Sequence, residues 1–292
     1  MSCGTGCQSE QPPEFAEAPD DLALDENVTR DLFWYHSSTH PDWPDRDFDP
    51  MAELDPVARH LLAAAGPGSA SLQTMVDREQ TKALHVGTYE AAIENVFRRI
   101  ADEGDSDAQF FRYRVRLRQD CVIEPGVQTE PTDFAGNAYL ADTCGDDVNV
   151  LRYVNVHEDA SRISLAIYID AIDAVQRIPI PRPIDPGDAW IIDTTARLVE
   201  ANSRPAEPVP PKFQRYRPQA TPALVIEARD IIAEASKGLP ANLRDRFGLN
   251  IDPKTFPTAP ERIPTRARGL VDLVTDSGPV FCALDAQGWR TV

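Results

Sequence analysis

Three short stretches carry side chains whose types and spacing could do chemistry. Trp34-Tyr35-His36-Ser37-Ser38-Thr39 ends an aromatic run in a histidine followed by small hydroxyl residues. Leu84-His85-Val86-Gly87-Thr88 sets a second imidazole just ahead of Tyr89-Glu90-Ala91, and Tyr153-Val154-Asn155-Val156-His157-Glu158-Asp159 carries acids in a loop. An imidazole donates or accepts hydrogen bonds near neutral pH. A carboxylate in a water-poor cleft stabilises developing positive charge or takes up a proton. Each group also has a plainer reading. A lone histidine at a strand end is more often a satisfied or surface residue, and a Glu-Asp loop is usually a solvated turn. Asn155 can simply cap that turn. Glu94 reads equally as an exposed helix former or as a ligand. His40, His60 and His157 take no role. Cys3 and Cys7 form a CxxxC pair with no further ligand cluster beside it, so an unstructured leader is preferred there and no metal is expected.

The elements that must position these groups follow from periodicity. LFWYHSS (32–38) reads as a buried strand emptying into the proline- and aspartate-rich loop HPDWPDRDFDP. Residues 51–65 have apolar positions at helical spacing behind Pro56. KALHVGT (82–88) is a short strand, and YEAAIENVFRRIADEG is an amphipathic helix ending at Gly104. FFRYRVRLR (110–118), NVLRYVN (149–155) and RISLAIYI (162–169) are strands, after which IDAVQRIPIPRPIDPGDAWII returns to extended structure through proline-punctuated turns. A Pro-rich bridge (203–222) precedes an amphipathic helix at ALVIEARDIIAEASKG, and LVDLVTDSGPVFCAL (270–284) reads as a hairpin around Asp276, Ser277 and Gly278. Residues 1–25, acidic and poor in large apolar groups, are expected to be disordered. Strands and helices mix without a strict βαβ rhythm, which argues α+β.

Composition narrows the partners. The chain has 292 residues and a formal net charge of −18, which repels phosphate backbones unless a local basic patch overrides it. One candidate patch is Arg112, Arg114, Arg116 and Arg118, placed by period-two alternation on one strand face. A solvated face is the preferred reading there, and a patch that steers an anion the alternative. Five scattered cysteines fit reduced thiols better than a disulfide framework. No apolar run reaches the roughly 20 residues of a spanning helix, and the N-terminus lacks a basic-then-apolar signal. A cytoplasmic location is expected.

In this order the three segments resemble the ADP-ribosyltransferase superfamily, in its H–Y–E (diphtheria-toxin-like) branch. That branch has a His-Gly-Ser or His-Gly-Thr turn after the first strand, then a strand leading through small residues into a helix, and a glutamate on or beside a later strand. YHSS resembles the first motif, with Ser37 in place of the glycine. LHVGTYEAAIEN resembles the second, with His85 where the branch has tyrosine, and NVHEDASRISLAI the third, with Glu158 as the acid. The resemblance covers about residues 30–180. It implies an ADP-ribosyltransferase-like split β-sheet with flanking helices over residues 26–200, and leaves outside it the linker at 201–222 and a C-terminal α/β extension, helix plus hairpin, at 223–292, both read from composition and periodicity.

It also implies NAD as substrate and transfer of ADP-ribose to an acceptor, with Glu158 catalytic. His36 would hold a ribose hydroxyl on the adenine side, and the Ser37 backbone the nicotinamide amide. His85 or Tyr89 would stack on the nicotinamide ring, and Asn155 would bind NAD as well. Arg78 and Lys82 would reach the diphosphate. The acidic chain favours a protein or small-molecule acceptor over duplex DNA. The second and third segments also look like RES domains, whose helix carries a glutamate where Glu94 stands, so an NAD-degrading toxin is one alternative. A non-catalytic binding or structural protein on the same shell, of phage origin, is another.

Overall fold

Alternating segments such as FFRYRVRL and ISLAI bury one or both faces, and the strands they form collect into two sheets. The computed structural model describes residues 17–49, 78–130, 137–204, 222–249 and 256–292. Contacts divide the chain into two units, each discontinuous in sequence. The first comprises Met1–Leu32, Asp47–Thr88 and Leu117–Ala171, the second Phe33–Arg46, Tyr89–Arg116 and Ile172–Val292. Each holds one four-stranded sheet with helices, an α+β arrangement. The expected helix at 51–65, most of the leader and most of the Pro-rich bridge lie outside the described residues, as do His60, Cys3 and Cys7. Among the described residues no helix is long and apolar enough to cross a membrane.

The first unit is built on β2 (Leu84–Val86), β4 (Gln128–Thr129), β5 (Val150–Val154) and β6 (Ile163–Ile167), in the order β2-β6-β5-β4. Every residue of β5 and β6 is buried, as their apolar composition requires. Leu151, Tyr153 and Ala166 pack with Ala83, Ala138 and Leu140. Arg152, only 1% exposed, shows why residues 17–25 are ordered despite their composition. Its guanidinium donates to the Ala23 and Leu24 carbonyls and pairs with Glu26 at 2.9 Å, at the start of α1 (Glu26–Asp31). The Ile163 amide donates to Asp21, which also caps the turn at Leu22–Leu24. The expectation of disorder is therefore corrected for residues 17–25: acidic side chains there find long-range donors that local composition does not reveal.

The second unit is built on β1 (Trp34–Ser38), β3 (Phe110–Leu117), β7 (Ile172–Ile180) and β8 (Arg290–Thr291), in that order. β1 and β3 are antiparallel, with His36 opposite Tyr113 and Ser37 opposite Arg112. α2 (Tyr89–Arg98) widens into a π turn at Arg99–Glu103 and stops at Gly104, whose φ of 78° supplies the left-handed cap. Its apolar face, Ile93, Val96 and Phe97, packs with Phe110, Ile178 and Ile180.

The C-terminal region belongs to this same core and does not form a separate extension. α3 (Ala189–Ser203), α4 (Ala223–Ala235), α5 (Ala241–Asp245), α6 (Arg262–Thr275) and α7 (Gly278–Asp285) follow β7. They contribute Ile232, Leu270, Leu273, Val280 and Leu284 to the cluster around Phe97 and Phe110.

Two expected elements are corrected. AWII is the first turn of α3, because Asp188 accepts from the Trp190 and Ile191 amides as an N-cap. The expected hairpin at 270–284 is α6 turning into α7. Its apolar residues recur at helical spacing, and Pro279 sits in the first turn of α7, where it needs no amide partner.

Candidate functional site

In the first unit the second and third motifs meet. β2 runs antiparallel to β6, which runs antiparallel to β5, so Ala166 is the register partner of both His85 and Leu151. Tyr153, two residues beyond Leu151, therefore shares a face with His85. Its hydroxyl lies 3.1 Å from His85 Nδ1, and the two rings meet edge to face. Burial pushes the Tyr153 phenol well above its ordinary range, and the neighbouring Glu158 and Glu130 carboxylates push it further. The phenol stays protonated at neutral pH, bonded to the imidazole of the second motif and within the field of the carboxylates of the third.

Glu158 sits in a tightly organised β5–β6 connection. The buried Asn155 side chain accepts from the backbone amides of His157, Glu158 and Asp159 at 3.1, 2.7 and 3.1 Å, and donates to Ser164 Oγ. The loop closes through Asn155 N to Arg162 O and Ser161 N to Asn155 O, with Ser161 at φ 74°. A non-glycine residue in that region marks a loop whose shape is imposed by its surroundings. Thr88 Oγ1 donates to Asp159 at 2.6 Å, which ties the end of the second motif to this loop. Asn155 thus pins the backbone of residues 157–159 to Ser164 at the start of β6, and Glu158 itself is half-buried.

The first motif lies in the second unit. The His36 ring stacks on Trp43, with centroids 4.1 Å apart. Trp43 packs against Tyr113, whose hydroxyl donates to the His40 carbonyl. Ser37 is buried, and its Oγ donates to Ala92 O on α2. Tyr89, the first residue of α2, is also buried. Its hydroxyl donates to Leu273 O, and its ring contacts Tyr35 and Phe281. That ring is committed to the core, so of the two aromatic candidates His85 has the more open surroundings.

Other candidates have structural partners. Glu94 is 3% exposed and held by Arg246 and Asn242, which corrects the reading of it as an exposed helix former. Lys82 pairs with Glu79, and Arg78 lies over the Tyr139 ring. The solvated arginine face holds for Arg116 and Arg118, which are exposed and pair with Asp173 and Asp120, and is corrected for Arg112, fully buried, and Arg114, 6% exposed, which lie against the rings of Tyr89, Phe33 and Phe281. Alternation tells which residues share a face, not what covers it. A cavity of about 600 Å³ in the second unit, lined by residues including Arg229, Arg244, Asp245 and Phe247, contains none of the candidate residues.

Sequence reasoning gave no role to Tyr153, Thr88 or Ser164. Tyr153 and Asn155 do stand two apart at the end of a strand pattern, and that spacing places them on one face. Compared with protein-family models, with curated proteins and with solved structures, the chain matches none.

Proposed function

We propose that the chain is an NAD-consuming ADP-ribosyltransferase in which Glu158 stabilises the ribosyl cation as the nicotinamide–ribose bond breaks. The observation that supports this reading is the meeting of His85, Tyr153 and the Glu158 loop in one unit, from segments about 70 residues apart in sequence. The division of the strands between two sheets is compatible with the split sheet that the resemblance implies.

In this reading the C1′–N bond breaks with its electron pair leaving on nicotinamide. The pyridinium of NAD thereby becomes a neutral leaving group and needs no proton. Positive charge develops on the ribose, and a carboxylate close to it lowers the barrier electrostatically. The acceptor then attacks C1′, and its proton passes to Glu158 or to water. Asn155 fixes the loop backbone that carries Glu158, and His85 stacks on the nicotinamide. A protein or small-molecule acceptor and a cytoplasmic location complete the proposal. The RES-like alternative is weaker, because its glutamate would be Glu94, whose carboxylate is already bound by Arg246 and Asn242.

The test is nicotinamide release from labelled NAD by wild type and Glu158→Gln. The isosteric amide keeps the volume and removes the charge. Loss of one electrostatic contact of this kind costs on the order of 10²–10³-fold in rate. Equal release by both proteins would remove Glu158 from the mechanism. Absence of release by wild type over a panel of acceptors would favour a non-enzymatic binding protein.

A further inference from the structure

We propose that a cavity in the second unit binds an organic monocarboxylate, an apolar body carrying one carboxylate, held at its head by Arg229 and Arg244. The cavity, about 600 Å³, is of a size that takes a small organic molecule. It opens where α2 widens into the π turn at Arg99–Glu103 and the chain turns away at Gly104, so that Ile100 and Ala101 line it together with residues of α4 and α5. π turns inside α-helices are rare and cluster at functional sites. The site shares no residue with the NAD reading and does not depend on it.

Two arginines carry the inference. Acids outnumber bases by 47 to 29 in this chain, so a surface guanidinium has carboxylates in abundance. Among the described residues, Arg229 and Arg244 are the two arginines whose side chains no hydrogen bond, ion pair or aromatic ring engages, and both line this cavity. Their own helical turns offer no acid. Three and four residues away Arg229 meets Val225, Ile226, Ile232 and Ala233, and Arg244 meets Pro240, Ala241, Phe247 and Gly248. The remaining charged side chain of the lining is Asp245. Two positive charges against one negative leave a single charge for an incoming anion. The walls set the rest of the ligand. Ile100, Ile232 and Phe247 belong to the buried core cluster. Only two lining side chains carry hydroxyls, and one of them, Ser236, already donates to Ala233 O. A body lodged here must therefore be apolar, with its polar group at the guanidinium forks, which take a carboxylate through two parallel bonds.

The full chain is titrated calorimetrically, at low salt, with octanoate and with naphthoate, and with the matching uncharged carboxamides. At least one acid should bind saturably, and about tenfold or more tightly than its amide. Arg229→Met and Arg244→Met should each weaken that binding by about tenfold, and the double variant should abolish it. Asp245→Asn removes the competing carboxylate and should tighten binding. Ala233→Trp keeps every charge and should abolish binding by filling the cavity from its exposed position on α4. All four side chains are exposed, so the ligand-free variants should melt as wild type does. Binding of neither acid, an amide that binds as tightly as its acid, or acid binding untouched by both arginine variants would overturn the site. Glu158→Gln should bind the acid as wild type does, which separates a failure of the catalytic reading from a failure of this one.

Discussion

A carboxylate in the proposed role of facing a developing cation must be reachable by substrate, yet held on a fixed backbone. Glu158 is half-buried, and Asn155 fixes its loop by binding three consecutive amides with one oxygen. His36 is braced differently, by stacking on Trp43, which packs on Tyr113. Burial pushes the Tyr113 phenol up to about 12. Unfolded, this phenol ionises near pH 10; folded, it keeps its proton into the region of pH 12. Between those values the unfolded chain binds fewer protons, so the stability contributed by Tyr113 is complete below pH ~10 and falls as pH rises. The stability difference between wild type and Tyr113→Phe, measured by urea unfolding, should be flat up to pH ~10 and shrink by on the order of 2 kcal/mol by pH ~12. A difference independent of pH would contradict the assigned burial. Of these residues, His36, His85, Asn155 and Glu158 were legible as types at strand ends. Tyr153 and the burial of Arg112 were not, because both depend on which partner covers a face.

At the scale of elements, strands with clean alternation and helices with a terminal glycine were legible: β1, β3, β5, β6 and α2 lie where their patterns put them. α3 was obscured by Pro181, Pro183 and Pro186, which suggest turns up to the point where Asp188 caps a helix. α7 was obscured because Asp276-Ser277-Gly278 suits a hairpin turn as well as a break between helices. Close packing between elements was not legible either. α6 approaches the end of β7 at Gly269, where a Cβ would lie 2.6 Å from Pro181 Cβ. In an open helix, glycine to alanine gains up to about 1 kcal/mol. Here the contact reverses the sign, and Gly269→Ala should lower stability by about 1–3 kcal/mol, the usual cost of overpacking. An unchanged or raised urea midpoint would mean that α6 yields without penalty.

At the scale of the molecule, a division into a catalytic domain at 26–200 and a later extension follows naturally from where the motifs end. The packing follows a different division. Tyr89 and Glu94 on α2 bond to Leu273 and Arg246, and the C-terminal helices fill the core beside Phe97 and Phe110. Ile232, Leu270, Leu273, Val280 and Leu284 each contribute roughly 1.5–3 kcal/mol on burial, so together they rival the roughly 5–15 kcal/mol of a whole domain. A chain ending at residue 204 should therefore bind a hydrophobic dye and lose cooperative unfolding. A cooperative melt at the full-length temperature would restore the linear division. The motifs could not reveal this dependence, because residues 223–292 carry no chemistry-bearing pattern and only an amphipathic one.

The most direct measurement is release of free nicotinamide from NAD by the full chain, followed over time for wild type and Glu158→Gln. A conserved fold should be verified for both by their melting temperatures. A wild-type rate that falls by on the order of 10²-fold or more in the variant is expected if the carboxylate opposes the ribosyl charge. Identical rates, or no nicotinamide from either protein with any acceptor supplied, would contradict an NAD-cleaving role for the site on the β5–β6 loop.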